Sequence, residues 1–206
     1  MLSLLSIEER ITDDIYNIIP KDIIDEMESL GQPINGGNTP PAINGTYKIS
    51  PVVLKASNFN DGFPIGHVFA DTYLTLSEQN NGNLTVKLKK AHGTEESEGV
   101  GAYIIGQNED FTVFVEFNTT DLNTGIKTKT VEIYSGTMTS SGIKNCFYSL
   151  VMTNDGGDPY NTYIDIGQGR LIWDSDGFSE KIVPEQIKTL RSVQIVNEYP
   201  TTSKSQ

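Results

Sequence analysis

The chain has 206 residues, 36% of them hydrophobic, and a formal net charge of −12 with a pI of about 4.5. A surface of that sign repels phosphate backbones and anionic headgroups, which argues against nucleic acid and acidic membrane surfaces as partners. No apolar run is long enough for a transmembrane helix, and the single cysteine, Cys146, excludes an intrachain disulfide.

Residues 1–30 read as a helical N-terminal segment. Ser6-Ile7-Glu8-Glu9 has the form of a capping box, in which serine and glutamate side chains satisfy free amides of the first turn. Pro20 suits a second helix start. Ile23, Ile24, Met27 and Leu30 then share one helical face, and Gly31 supplies a stop. Residues 31–41 are a Pro/Gly linker, and residues 42–199 are the β domain. The polar residues 200–206 are expected to be a disordered tail. The start, Met1 to Ser6, is too short for a complete signal-peptide core, so a removed signal is expected.

Eight strands are expected, at 44–50, 72–76, 84–89, 100–106, 111–117, 127–139, 143–153 and 160–173. Leu84-Thr85-Val86-Lys87-Leu88-Lys89 alternates apolar and polar residues as a half-buried strand does. Asn80-Asn81-Gly82-Asn83 joins it to the preceding strand as a hairpin. Glu95 to Glu98 reads as an acidic loop. Asn154-Asp155-Gly156-Gly157-Asp158-Pro159 and Asp174-Ser175-Asp176-Gly177 read as turns. A short helix after Pro184 and a last strand at 192–198 complete the pattern. An antiparallel meander of eight strands closes naturally into a barrel, and a two-sheet β-sandwich is the rival.

Gly45-Thr46-Tyr47-Lys48 resembles the Gly-x-Trp start of calycins, the lipocalins and fatty-acid-binding proteins, with tyrosine in place of tryptophan. The resemblance implies a ligand-holding barrel closed by an arginine packed over the first-strand aromatic. Arg170 takes that part beside Tyr47, with Arg191 in reserve. The chain is also similar to calycin-like lipoproteins of Gram-negative envelopes, through Ile19-Pro20, Pro40-Pro41-Ala42-Ile43-Asn44-Gly45-Thr46-Tyr47 and Asp174-Ser175-Asp176-Gly177. That likeness implies an extracytoplasmic address, in the periplasm or at the cell surface, and lipid anchoring.

The search for chemistry gives no complete catalytic or cofactor motif. His67 and His92 lie in no nucleophile or zinc motif, and Cys146 sits in a strand-like run as an inert core thiol. Asp174 and Asp176, like Asp155 and Asp158, carry oxygens at calcium-like spacing but also fit ordinary turns, the preferred reading. Glu116, Glu132 and Asp165 lie in predicted strands and are the carboxylates to weigh for glycoside hydrolysis. Asn44, Asn83 and Asn118 head Asn-x-Thr sequons. Tyr73, Tyr103, Phe114, Tyr134 and Tyr148 are the candidate ligand-binding aromatics, since barrel lumens and sugar platforms both use such rings. The expectation is a non-catalytic binding protein without a cofactor, holding a small apolar or amphipathic ligand in a calycin-like barrel. The alternative is an envelope interaction protein that binds a protein or glycan on its outer surface.

Overall fold

The computed structural model describes residues 13–187 and is mostly antiparallel β-sheet, 53% strand and 10% helix. The expected capping box at Ser6, the strand at 192–198, the tail at 200–206 and Arg191 lie outside the described residues.

Two helices open the described chain, α1 (Asp13–Ile18) and α2 (Lys21–Ser29). Pro20 directly precedes α2, and Gly31 ends the helical run with φ +105°, a conformation glycine adopts without strain. Ile15, Ile19, Ile24 and Met27 are buried against Ile105, Phe114, Val131, Ile133 and Val151. The helical stripe read from the sequence therefore covers one face of the sheet.

The 31–41 segment is not a free tether. Gln32 donates from Nε2 to Ser135 Oγ at 2.9 Å, and Asn35 donates its amide to Thr112 Oγ1 at 2.8 Å. Strand β1 (Asn38–Thr39) pairs in parallel with residues 106 and 107. Glycine and proline exclude a long regular element here, but the backbone still finds partners on the sheet.

The remaining strands are β2 (Gly45–Ile49), β3 (Val52–Ser57), β4 (Val68–Phe69), β5 (Thr72–Asn80), β6 (Thr85–His92), β7 (Glu95–Gln107), β8 (Asp110–Asp121), β9 (Lys127–Met138), β10 (Gly142–Asn154), β11 (Gly169–Asp174) and β12 (Phe178–Ile182). From β5 to β10 each strand pairs antiparallel with the next. β2 pairs with β5.

The second edge of β10 is divided. Gly142–Lys144 pair with β12 and Phe147–Val151 with β11, with Asn145 at φ 49° between them. β11 continues onto β3, which carries β4. β12 pairs with β2 through Lys181↔Tyr47 and with β10 through Ile143↔Ser179. That approach requires glycine at 142, because a Cβ there would stand 2.3 Å from the Ser179 carbonyl oxygen.

Three strand expectations are corrected. Glu95 to Glu98 is the start of β7, not a loop: Ser97 faces inward while Glu96 and Glu98 face solvent. Residues 160–168 are irregular, and the strand begins at Gly169. β3 and β12 were not anticipated. Their exposed charges, Lys55 in β3 and Glu180 and Lys181 in β12, obscure the alternation in these short strands.

Strand parity divides the side chains between two faces. One face of β2 and β5 to β10 builds the main core, with Tyr47, Leu74, Val86, Leu88, Ile104, Phe111, Val113, Val115 and Tyr134 among its residues. The opposite face of β7 to β10 receives the helices. Each fully buried Val, Leu, Ile or Phe contributes about 1.5–3 kcal/mol.

Candidate functional site

The inward face changes character along the strands. In β6 the same alternation that buries Val86 and Leu88 continues through Lys90 to His92. In β8 it passes from Phe117 to Thr119 and Asp121, and in β9 from Tyr134 to Glu132, Thr130 and Thr128. Cross-strand register places Lys90, Ser97, Thr119 and Thr128 side by side, and Thr72, His92, Glu95 and Asp121 in a second row nearer the strand ends.

Glu132 is completely buried and forms an ion pair with Lys90, whose side chain is 8% exposed. Thr130 donates to Glu132 Oε1 at 2.8 Å, and Tyr134 donates to Oε2 at 2.6 Å. Both carboxylate oxygens are thereby satisfied, as a buried charge requires. The Lys90 ammonium also lies 5.0 Å from the Phe117 ring centroid. Tyr134 stacks on Tyr148 with centroids 5.1 Å apart. Burial, reinforced by Glu132, raises the proton affinity of both phenols. The Tyr148 hydroxyl is 3.3 Å from Thr72 Oγ1, which is 2.9 Å from His92 Nδ1.

A cavity of about 450 Å3 adjoins this network. Its wall includes Lys90, Glu132, Thr119, Thr128, Thr130 and Tyr148, and its mouth includes Glu95, Asp121 and Tyr163. Burial raises the Glu95 carboxyl; Lys90 opposes the shift, while Asp121 and Glu132 reinforce it. Burial also raises Asp121, but the amides of Thr124 and Asn123 and the Thr94 hydroxyl outweigh it and hold Asp121 low. A larger groove of about 910 Å3 lies on the other face of the sheet, where its wall includes the exposed Lys89, Glu96, Glu98, Val100 and Leu122. The first cavity is the candidate site because its polar walls are buried, and burying them carries a cost that solvated side chains do not incur.

Parity sorts the candidate aromatics. Tyr134 and Tyr148 stand opposite one another on the inner face and adjoin the cavity network. Tyr103 and Phe114 pair on the outer face with the helical cluster. Tyr73 lies on that outer face too, in the wall of the larger groove. Tyr47 is buried, and its hydroxyl donates to the Ile43 carbonyl at 3.0 Å. Desolvation pushes its pKa to about 12.

The cation over the Tyr47 ring is Lys181, 6.0 Å from the centroid. The expected Arg170 is instead bound by two hydrogen bonds to Asp61, at 2.6 and 2.9 Å, among Phe59, Phe63 and Phe69. Its position on β11 opposite Ser57 directs it to the β3–β4 loop.

The other residues weighed for chemistry are dispersed. Glu116 faces Lys129 on the outer side of β8, whereas Glu132 points inward from β9, and Asp165 accepts from Gln168 in the β10–β11 loop. Asp174 is buried where β11 turns into β12. Its Oδ2 accepts from Ser50 N at 3.2 Å and Ser179 Oγ at 2.7 Å, and Asp176 accepts from Phe178 N. Burial and the neighbouring Asp176 raise the Asp174 carboxyl despite those bonds.

Asp155 and Asp158 accept backbone amides of their own turn. Among the described residues no group of three or more His, Cys, Asp or Glu side chains is arranged to hold a metal. His67 stacks on Phe63 at 4.2 Å. Burial pushes the Cys146 thiol up to about 12. Asn44, Asn83 and Asn118 are exposed. No helix among the described residues is long and apolar enough to cross a membrane.

Sequence reading passed over Lys90, Thr128, Thr130 and Asp121. The parity of β6, β8 and β9 was the signal that reaches them. No known protein family, curated protein or solved structure matches the chain.

Proposed function

We propose that this chain is a non-catalytic, extracytoplasmic binding protein whose strands form a calycin-like barrel with a small-molecule site at one end of its lumen. Closure is supported by β12, which has β10 on one side and β2 on the other. β2 with β3 acts as one bent strand facing β11 with β12, which together with β5 to β10 makes eight. The envelope address rests on the Pro/Gly-linked helical start and the Asn-Gly-Thr-Tyr element.

The observation that carries the binding reading is the cavity of about 450 Å3 beside a buried ion pair. That volume lies within the range of small-molecule sites, about 300–1,000 Å3. Binding is favoured over acid–base catalysis because Lys90, Thr130 and Tyr134 already occupy both oxygens of Glu132. Native mass spectrometry of protein purified from its own host tests the reading. A bound mass is expected, and Leu150→Trp, which places a larger side chain in the cavity wall, is expected to remove it. Spectra without a bound mass, or one unchanged in the variant, overturn the reading.

A second reading, docking of a protein or glycan on the outside, is favoured by exposed apolar side chains on loops at the same end. Phe63, Ile65, Leu122, Tyr160 and Ile166 are 41–67% exposed. Exposed apolar clusters mark interaction surfaces when they are contiguous. Replacing Ile65 and Ile166 with serine tests this reading, with loss of partner retention and unchanged small-molecule binding as the expected result.

A further inference from the structure

The cavity wall mixes apolar side chains with many groups that need hydrogen bonds, and those groups fit a purely apolar ligand poorly. Lys90 brings an ammonium with three donors, and Glu132 is the acceptor bonded to it. Glu95 and Asp121 stand directly opposite one another on β7 and β8 at the mouth, bringing carboxyl acceptors. Thr119 and Thr128 lie in the same wall, with hydroxyls that can donate or accept, and Thr130, which donates to Glu132, keeps an acceptor lone pair.

We infer that the cavity binds a neutral polyhydroxylated molecule of the sugar class, its hydroxyls accepting from Lys90 and donating to the carboxylates at the mouth. The inference rests on the binding reading above and names the ligand chemistry. A fatty chain would cover these polar groups without replacing their hydrogen bonds with water. An acidic ligand would face Glu95, Asp121 and Glu132, and both cations of the wall, Lys90 and Arg170, are already ion-paired. An amine would be drawn to Glu95 and Asp121 but would set a second cation beside Lys90. A hydroxyl satisfies both an ammonium donor and a carboxylate acceptor without adding charge. Tyr163, half-buried in the same wall, brings an aromatic ring of the kind that a sugar's C–H face accepts.

Isothermal titration of the full chain with neutral mono- and disaccharides tests this, with glucuronate, glucosamine and laurate as charged and apolar controls. At least one neutral sugar is expected to bind, with the controls at least about tenfold weaker. Thr128→Val keeps the side-chain shape and removes the hydroxyl, and it is expected to weaken sugar binding about tenfold at an unchanged melting temperature. Asp121→Asn supplies a second test should that variant unfold. Preference for laurate or a charged control, or sugar affinity untouched in both variants, overturns the inference. A bound lipid mass in native spectra with no sugar binding overturns the sugar class and leaves the binding reading standing. No bound mass and no titration overturns both.

Discussion

Along β8 the inward side chains run Phe111, Val113, Val115 and Phe117, then change to Thr119 and Asp121. Along β9 the same change runs from Met138 and Tyr134 to Glu132, Thr130 and Thr128. The apolar end gains free energy from every methylene removed from water. The polar end buries a carboxylate and an ammonium whose mutual attraction roughly offsets their desolvation, so it adds little to stability. The same strands thus hold a stabilising half and a half that adds little to stability and carries the proposed site.

The difference is sharpest in paired substitutions. Glu132→Leu or Lys90→Met alone should destabilise by about 3–5 kcal/mol, because each strands the other's charge. The double variant should recover most of that loss, a non-additivity that urea unfolding reads directly. In the apolar half, Phe111→Ala should cost a similar ~3–5 kcal/mol with no second substitution that restores it. Equal additivity at both ends would erase the distinction.

Tyr134→Phe should cost less, about 1.5–3 kcal/mol, by removing one hydrogen bond to the buried carboxylate while keeping the stacked ring. Glu95→Gln should stabilise, by roughly 0.2–1 kcal/mol at pH 7, because it removes a like charge directly opposite Asp121. The folded state holds the Glu95 proton more tightly than the unfolded chain, whose glutamate titrates near 4.5. Stability from this group is therefore full below that value and falls as pH rises through the higher folded pKa. Melting curves between pH 4 and pH 7 should show this fall in the parent and a smaller one in the variant. Glu116→Gln on the outer face should change stability by less than about 1 kcal/mol, since its partner Lys129 is solvated.

The apolar half was legible in the sequence for the reason the polar half was not. Leu84 to Lys89 and Phe111 to Phe117 alternate apolar with polar, and their strands lie close to the expected bounds. Glu95 to Glu98 was read as a loop because the inward position between its exposed glutamates is Ser97, and nothing apolar marks the buried side. Parity extended from Leu88 would have placed Lys90 inside. Glu132 was among the carboxylates weighed, but its buried partner Lys90 is 42 residues away in sequence, and no local pattern links them. Arg170 shows the opposite failure. A family-like position suggested Tyr47 as its neighbour, whereas its strand register directs it to Asp61.

The edges of β2 and β10 are joined by the five residues Phe178–Ile182. On the ribosome those residues emerge after every other described strand, when β2 has been waiting for more than a hundred residues of synthesis. Until then the nascent chain carries two unpaired edges, the features most prone to pair with another molecule. A message cut short before the codon for Phe178 would therefore release a product with its last seam open. A short peptide bearing Phe-Ser-Glu-Lys-Ile is the natural reagent for closing that seam in trans.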